Sequence, residues 1–203
     1  MKLDYWQWPG YLNTEKIKDI NKILSSSSFE DEPLKLAATS MKSKPKKFLK
    51  TKLIPFSVIH QFFPDLWDRV TVTNLEHFGY DIVPINPVAD SVHYNLYSSK
   101  TKDEYDWHVD GTDRPLVDLK FTILINISDS SYRGGDFKVF NNNEYKVHEL
   151  NTPGNMIMFK SFLNHKVEKV TAGERKTLSF FIKGPSIKLK PLKIFYLKKY
   201  VII

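Results

Sequence analysis

The sequence predicts a mainly β fold, an antiparallel sandwich or jelly roll with helices packed against its outside. Two observations predict it. From about Tyr80 onward, apolar and polar residues alternate with period two, and turn residues interrupt the alternation at short intervals. Before that point the apolar residues follow helical spacing instead. No internal repeat or flexible linker separates the segments, so the simplest organisation is one domain.

Composition limits the class of protein. A chain of 203 residues with 41% hydrophobic content suits one domain with a sizeable core. The absence of cysteine excludes disulfides, zinc–thiolate sites, iron–sulfur clusters and thiol nucleophiles, which leaves oxygen and nitrogen as metal ligands. No segment approaches about 18 apolar residues, and the N-terminus lacks the apolar stretch of a signal peptide. We therefore expect a soluble, cytoplasmic protein without a membrane partner.

The net charge of +7 is concentrated in two lysine-rich runs. One lies between Lys42 and Lys52, and the other is at the C-terminus between Lys188 and Lys199. Such runs are either solvated surface or a patch that attracts nucleic acid or an acidic polypeptide. A lid over the substrate is a further interpretation of the first run.

Two helices are predicted in residues 1–79, a helical N-terminal support for the rest of the domain. The first has Asn13 or Thr14 as its cap and ends within Ser25 to Ser28. The second has Pro64 in its first turn and Gly79 as its stop. Their predicted buried residues are Ile17, Ile20, Ile23 and Leu24 in the first helix, and Leu66, Trp67, Val70 and Leu75 in the second.

Residues 80–185 are predicted to form the jelly-roll core, and residues 186–203 a basic C-terminal extension. Met156 to Phe159 is predicted to be a buried strand after a turn at Pro153-Gly154, and Gly134-Gly135 a tight connection between strands. The predicted turns are Asn86-Pro87, Gly111, Gly134-Gly135, Asn141 to Asn143, Pro153-Gly154 and Gly173.

Three side chains in this core form a candidate metal site. His108 and Asp110 are two residues apart, so on a strand both would leave the same face and could bind one ion. With His165 they complete the facial triad of two imidazoles and one carboxylate found in non-haem Fe(II) oxygenases, which leaves coordination positions for a co-substrate and dioxygen. Asp106 shares the predicted face, either as a pocket residue or as a solvated acceptor. No catalytic residue beyond the metal centre is predicted.

Two further strands carry an unusual polar face. In one, Arg175 is the first of three alternating polar residues, and in the other the alternating polar residues end at Tyr97. Each strand taken singly fits a solvent-exposed face, but together their side chains are suited to directed hydrogen bonds, which favours the lining of a site. His93 and Asn95 belong to this face and are candidates for a substrate pocket, whereas His60, His77 and His148 are interpreted as structural.

From roughly Val92 to Lys183, the chain resembles the Fe(II)- and 2-oxoglutarate-dependent dioxygenases, and among them the prolyl 4-hydroxylase type of catalytic domain. The order and the spacing of several motifs carry the resemblance. These motifs are Asn95 to Tyr97, Tyr105 to Asp110, Tyr132 to Phe137, Pro153 to Asn155, Ser161 to His165 and Val170 to Arg175. The resemblance implies a double-stranded β-helix, a cupin-type jelly roll, buttressed by the N-terminal helices.

The resemblance also implies roles for individual residues. It assigns His108, Asp110 and His165 to Fe(II), and Arg175 to the distal carboxylate of 2-oxoglutarate, with Tyr97 hydrogen-bonded to the same co-substrate. A guanidinium independently matches a carboxylate through two parallel hydrogen bonds. The implied reaction consumes O2 and 2-oxoglutarate, releases succinate and CO2, and hydroxylates a C–H bond. Ascorbate would keep the iron reduced.

The implied substrate is a proline in a peptide or protein. Lys160 and the loop from Ser98 to Glu104 depart from the family pattern near the expected pocket mouth, so alternatives stay open. The alternatives are a free amino acid, another small molecule or a nucleobase, the last favoured by the basic segment. A further alternative is a non-catalytic jelly-roll binding module. The oligomeric state is not predicted.

Overall fold

The computed structural model describes residues 3–26, 29, 47–110 and 117–186. Residues 42–46 of the first lysine-rich run and all of the second, like the turn predicted at Gly111, lie outside the described residues. In the described part of the chain, no helix has the length and the hydropathy needed to cross a membrane.

Strands dominate the described part of the chain, and the helices precede most of them. The helices are α1 (Thr14–Ser26), α2 (Phe56–Ile59) and α3 (Leu66–Thr73), with 3-10 turns at His60–Phe62 and His148–Asn151 and a π turn at Asn74–Phe78. The strands are β1 (Tyr5–Trp8), β2 (Lys47–Phe48), β3 (Lys50–Pro55), β4 (Ser91–Ser98), β5 (Glu104–His108), β6 (Val117–Asn126), β7 (Arg133–Gly134), β8 (Phe137–Asn141), β9 (Asn143–Lys146), β10 (Met156–Lys160), β11 (Asn164–Val167), β12 (Val170–Ala172) and β13 (Glu174–Pro185).

The strands form two antiparallel sheets and a two-stranded ribbon. The larger sheet has six strands in the order β1-β10-β6-β13-β4-β3, and the smaller has five in the order β2-β5-β11-β8-β9. The ribbon pairs β12 with β7. Neighbours in the sheets are mostly distant in sequence, as in a jelly roll. This architecture confirms the predicted mainly β fold with flanking helices.

The larger sheet has one apolar face and one face that is largely polar. Phe121, Ile123 and Ile125 of β6 lie on the apolar face, in one buried cluster with residues of all three helices. A second cluster, which includes Leu124 and Phe159, lies on the opposite, inner face. Because side chains alternate along a strand, the helices cover one face while the other is left to line the space between the sheets.

The first predicted helix is confirmed. The Asn13 side-chain oxygen accepts the backbone N–H of Lys16 at 2.9 Å, which makes Asn13 the cap and Thr14 the first helical residue. Ile17, Ile20 and Leu24 are buried, and Ile23 packs against the same core.

The second predicted helix is partly wrong. α3 begins at Leu66, two residues after Pro64, and it continues as the π turn until Gly79, which adopts a left-handed φ of +72° as a stop. Leu75 is 73% exposed instead of buried. It lies nine residues after Leu66, about half a turn away from the buried face of the helix, and Asn74 occupies the buried position instead.

The strands also begin later than the alternation predicts. Residues 80–90 contain no strand, and the first strand of this half is β4, which starts at Ser91. Asn86 organises the segment, because its side-chain oxygen accepts the backbone N–H of Val88 at 2.9 Å. The predicted buried strand at Met156 to Phe159 is confirmed, since all four residues are fully buried in β10.

Candidate metal centre

His108, Asp110 and His165 come together at one point between the sheets. Each offers one ligand atom, and these atoms all lie within 4.8 Å of one another. Strand pairing brings the two histidines together, because His165 of β11 lies directly opposite His108 of β5, with 4.1 Å between their ring centroids. Asp110 follows the end of β5, not within the strand as predicted, and its backbone N–H donates to the Ser161 carbonyl at 2.9 Å.

The fold fixes both imidazole rings. The Nδ1 atom of His108 lies 2.7 Å from the Asp106 carbonyl oxygen, and that of His165 lies 2.8 Å from the Leu163 carbonyl oxygen. A carbonyl only accepts, so each Nδ1 carries the proton and each Nε2 keeps its lone pair for a metal ion. The Tyr105 ring also stacks on His108 with 3.5 Å between centroids.

The carboxylate is held from the larger sheet. The Thr122 hydroxyl, on the inner face of β6, donates to Oδ2 of Asp110. The same Oδ2 atom lies 3.8 Å from Nε2 of His165. Two neutral imidazoles and one carboxylate form a donor set suited to Fe(II), with coordination positions left for other ligands. The residues present therefore fit such an ion.

Arg175 is the unusual residue of the cavity. Its side chain is 1% exposed, yet neither Nε nor Nη2 donates to any acceptor in the described part of the chain. Burying a charged group without partners is costly, and so two unpaired guanidinium nitrogens indicate an absent acceptor. A carboxylate provides the planar pair of oxygens that this donor matches. The distal carboxylate of 2-oxoglutarate fits this requirement.

Tyr97 lies beside this arginine. β4 and β13 place Tyr97 opposite Arg175, and the guanidinium carbon is 5.4 Å from the Tyr97 ring centroid. Burial raises the pKa of the Tyr97 phenol to about 12, and the nearby Arg175 charge opposes this shift only in part. The phenol therefore keeps its proton near neutral pH and can donate a hydrogen bond.

Gly135 makes room for the arginine side chain. A Cβ atom at Gly135 would approach Cδ of Arg175 to 2.8 Å and Cγ2 of Val170 to 3.0 Å. Its φ of +67° is a further reason for glycine. The sequence marked this residue as part of a tight connection but did not relate it to the site. Thr122 was missed entirely, although its place as the single polar residue between Phe121 and Ile125 was a weak signal for it.

The two candidate substrate-pocket residues lie on the same inner face of β4 as Tyr97. The Asn95 side chain bridges neighbouring strands, because it donates to the Ser179 hydroxyl at 2.8 Å and accepts from the Thr51 hydroxyl at 3.0 Å. His93 packs edge-on against Phe181, with 4.8 Å between centroids. Their contact with a substrate stays a prediction.

The structure leaves the other candidates outside the site. The Asp106 side chain is exposed, and its carboxylate accepts the N–H of Trp107 at 2.8 Å, in agreement with the solvated interpretation. His60, His77 and His148 lie in the 3-10 and π turns and do not join the metal group.

Comparisons with known proteins agree with this geometry. Residues 92–183 match the family model of the 2OG-Fe(II) oxygenase superfamily. No curated protein matches the chain in sequence. A prolyl-4-hydroxylase from Pseudomonas putida has a similar structure, with a TM-score of 0.65 and 14% identity over 90% of this chain and 94% of that one.

Two other similar structures differ in what their names say they act on. A prolyl hydroxylase from Trichoplax adhaerens, in complex with a peptide of the hypoxia-inducible factor oxygen degradation domain, has a TM-score of 0.66 and 15% identity over 88% of this chain and 83% of that one. A non-heme alpha-ketoglutarate-dependent carbocyclase of nogalamycin biosynthesis has a TM-score of 0.61 and 12% identity over 90% of this chain and 80% of that one. At these identities the likeness shows the fold. Residues 92–183 therefore match the 2OG-Fe(II) oxygenase superfamily, and the chain has a prolyl-hydroxylase-like fold.

Proposed function

We propose that the protein hydroxylates an unactivated C–H bond of a prolyl residue, at the 4-position, in a peptide or protein substrate, and releases succinate and CO2. One observation supports the reaction class above all. A His-Asp-His donor set within 4.8 Å shares the space between the sheets with a buried arginine that has two unpaired N–H donors. One end suits a metal ion and the other suits an acid.

The residues divide the work between binding and exclusion of water. When bound, Fe(II) and 2-oxoglutarate supply the oxidising chemistry that inserts one atom of O2 into a C–H bond. Arg175 and Tyr97 hold the distal carboxylate and so fix the direction in which the co-substrate lies. Buried apolar side chains such as Phe159, whose ring packs edge-on against His165 at 4.8 Å, keep water away from the site.

Two observations support a polypeptide substrate. Similar structures include prolyl hydroxylases, one of them bound to a peptide. In addition, Phe162, three residues before His165, is 47% exposed and packs edge-on against Tyr80 with 6.3 Å between centroids. An exposed aromatic ring near a candidate metal ligand in the sequence, backed by a second, partly buried ring, offers a contact surface to a polypeptide substrate.

Mass spectrometry of peptides tests the prolyl substrate. Prolyl peptides incubated with the protein, Fe(II), ascorbate and 2-oxoglutarate should gain one oxygen atom for each succinate formed. Matched peptides with alanine in place of proline should gain none. Succinate formation without any change in mass across a broad library of prolyl peptides would contradict the prolyl substrate. It would still support turnover of 2-oxoglutarate at the metal site.

A small molecule is the second candidate substrate, because the carbocyclase of nogalamycin biosynthesis has the same fold. A free amino acid or a nucleobase would be hydroxylated at the same metal site by the same residues. Salt-dependent binding of single-stranded DNA or RNA would favour the nucleobase. The non-catalytic module is excluded if succinate forms with the wild-type protein and not with Asp110→Ala. A cytoplasmic location stays a prediction, which fractionation of cells would test.

A further inference from the structure

Asp110 is bound into a chain of hydrogen bonds that reaches beyond the metal ligands. Thr122 Oγ1 donates to Asp110 Oδ2 and also lies 2.9 Å from Oγ of Ser161. A carboxylate accepts and does not donate, and the threonine hydroxyl has one proton. The direction of the chain is therefore fixed: Ser161 donates to Thr122, and Thr122 donates to Asp110.

The chain joins three parts of the fold that are separate in sequence. Thr122 lies on the inner face of β6, and Ser161 follows β10, the neighbouring strand of the larger sheet. Asp110 follows β5 of the smaller sheet. The Ser161 hydroxyl has little freedom, because its backbone N–H donates to the Lys120 carbonyl at 3.1 Å and its carbonyl accepts the Asp110 N–H at 2.9 Å.

Both hydroxyls are buried, and burial favours the arrangement in which each keeps a hydrogen-bond partner. Ser161 is fully buried and Thr122 is 2% exposed. A buried hydroxyl without a hydrogen-bond partner is costly, so each hydroxyl is strongly favoured to keep its place in the chain. Hydrogen bonds in series also polarise one another, which strengthens the one that ends on the carboxylate.

We propose that Thr122, supported by Ser161, is the positioning residue that holds the Asp110 carboxylate ready for the metal ion. This inference rests on the proposed function, since it assumes that the triad binds a metal. The two histidines lie on paired strands, whereas Asp110 follows the end of β5. The hydroxyl chain connects its carboxylate to the larger sheet by hydrogen bonds. Supporting hydrogen bonds of this kind change metal affinity by roughly 10–100-fold.

Metal affinity without co-substrate gives the test. Co(II) or Mn(II) is titrated into the full chain by calorimetry, for the wild type, Thr122→Val, Thr122→Ser, Ser161→Ala and the double variant. Thr122→Val keeps the shape and removes the donor, so affinity should fall by roughly 10–100-fold. Thr122→Ser restores the hydroxyl and should recover most of the affinity.

The double variant separates a chain from two independent contacts. If Ser161 acts only through Thr122, Ser161→Ala should weaken metal binding in the wild type and have no further effect in Thr122→Val. Additive losses would overturn the chain. Thr73→Val, a buried threonine of α3 outside the cavity, is the control and should bind metal like the wild type.

The outcomes distinguish this inference from the proposed function. Wild-type affinity in Thr122→Val would overturn the positioning role while leaving the metal site in place. A wild-type protein that binds neither ion would contradict the proposed function itself. Thermal melting of each metal-free variant checks that the fold is retained. If Thr122→Val does not fold, Thr122→Ser and Ser161→Ala carry the test, and unchanged affinity in Ser161→Ala overturns the chain.

Discussion

The two ends of the cavity differ in how completely the protein satisfies their polar groups. At the metal end, both Nδ1 atoms have backbone carbonyl partners, and the Asp110 carboxylate has the Thr122 hydroxyl. At the other end, Arg175 is buried with two N–H donors unpaired. The protein itself therefore orients the three candidate ligands, whereas the guanidinium keeps donors that an added acid can bind.

This contrast has an energetic consequence. Burying a charge without a partner costs several kcal/mol, and other interactions in the fold must offset this cost. A carboxylate that binds Arg175 removes this cost and forms two charge-assisted hydrogen bonds. We therefore expect changes at the metal end to weaken metal binding, and changes at the arginine end to act on 2-oxoglutarate while sparing the metal.

The largest effect is expected from Asp110→Asn. The amide keeps the shape but loses the negative charge, so metal affinity should fall by more than about 100-fold, beyond the range of supporting residues. Turnover of 2-oxoglutarate to succinate should be lost as well. Asp106→Asn, an exposed acid four residues earlier in the chain, is the matched control and should bind metal normally. Equal metal binding in both variants would contradict the triad.

The next effect concerns Arg175 and thermal stability. With metal present, 2-oxoglutarate at about 100 times its Kd should stabilise the wild type by about 2.7 kcal/mol, or roughly 5–10 °C in Tm. Arg175→Met should lose this shift. The variant without ligand should be as stable as the wild type or more so, because it no longer buries an unpaired charge.

Lys176→Met is the control for this comparison. Lys176 is adjacent in sequence but bonds to Asp129 at 2.7 Å on the other face of β13, so its variant should keep the shift. A shift that survives in Arg175→Met, measured by differential scanning calorimetry, would disprove the role of the arginine.

Gly135→Ala tests the packing of the arginine side chain. The added methyl would meet Arg175 Cδ at 2.8 Å, so the affinity for 2-oxoglutarate should fall by about tenfold, the effect of a displacement costing about 1.4 kcal/mol. Gly10→Ala has a similar φ of +62° and no atom within 4 Å of the added methyl, so it should share the backbone strain and keep the affinity. Equal losses in both variants, measured by calorimetric titration, would show that strain alone is responsible.

The smallest effect is the pH dependence of Tyr97. The pKa of its phenol is about 12 in the fold against 10.0 ordinarily, so the unfolded chain ionises first as pH rises. Its stabilising contribution is complete below pH 10 and is lost between about pH 10 and 12. The difference in free energy of unfolding between wild type and Tyr97→Phe should therefore be constant up to pH 10. A change that begins below pH 9 in denaturant titrations would contradict a protonated phenol at the arginine end.

The fold class and the grouping of His108, Asp110 and His165 were predictable because they depend on local patterns. His108 and Asp110 are two residues apart, and the spacing from His165 to Arg175 lies within one motif. Alternation along β13 likewise predicted that Arg175 faces inward and Lys176 faces the other way, and the structure has this arrangement. The spacing of residues along a strand and the positions of turn residues provide this information even when the strand order is unknown.

Features that depend on tertiary neighbours were not predictable. Thr122 matters because its hydroxyl on β6 of the larger sheet reaches Asp110, which follows β5 of the smaller sheet, and only the packing of the two sheets brings them together. Gly135, which follows β7, accommodates the side chain of Arg175 on β13, and this contact is between parts of the chain about 40 residues apart. The prediction for Leu75 was wrong because the helical periodicity was extended past the buried face of the helix. The strand predicted from Tyr80 begins only at Ser91 because residues 80–90 alternate in polarity but form no strand.

The most direct test of the whole account is anaerobic visible absorption of the protein with Fe(II), before and after 2-oxoglutarate is added. We expect a weak charge-transfer band that requires both components, disappears in His108→Ala and weakens in Arg175→Met at the same co-substrate concentration. Metal binding without such a band would contradict the assignment of Arg175 and Tyr97 to the co-substrate, and the non-catalytic binding module would then be the better description.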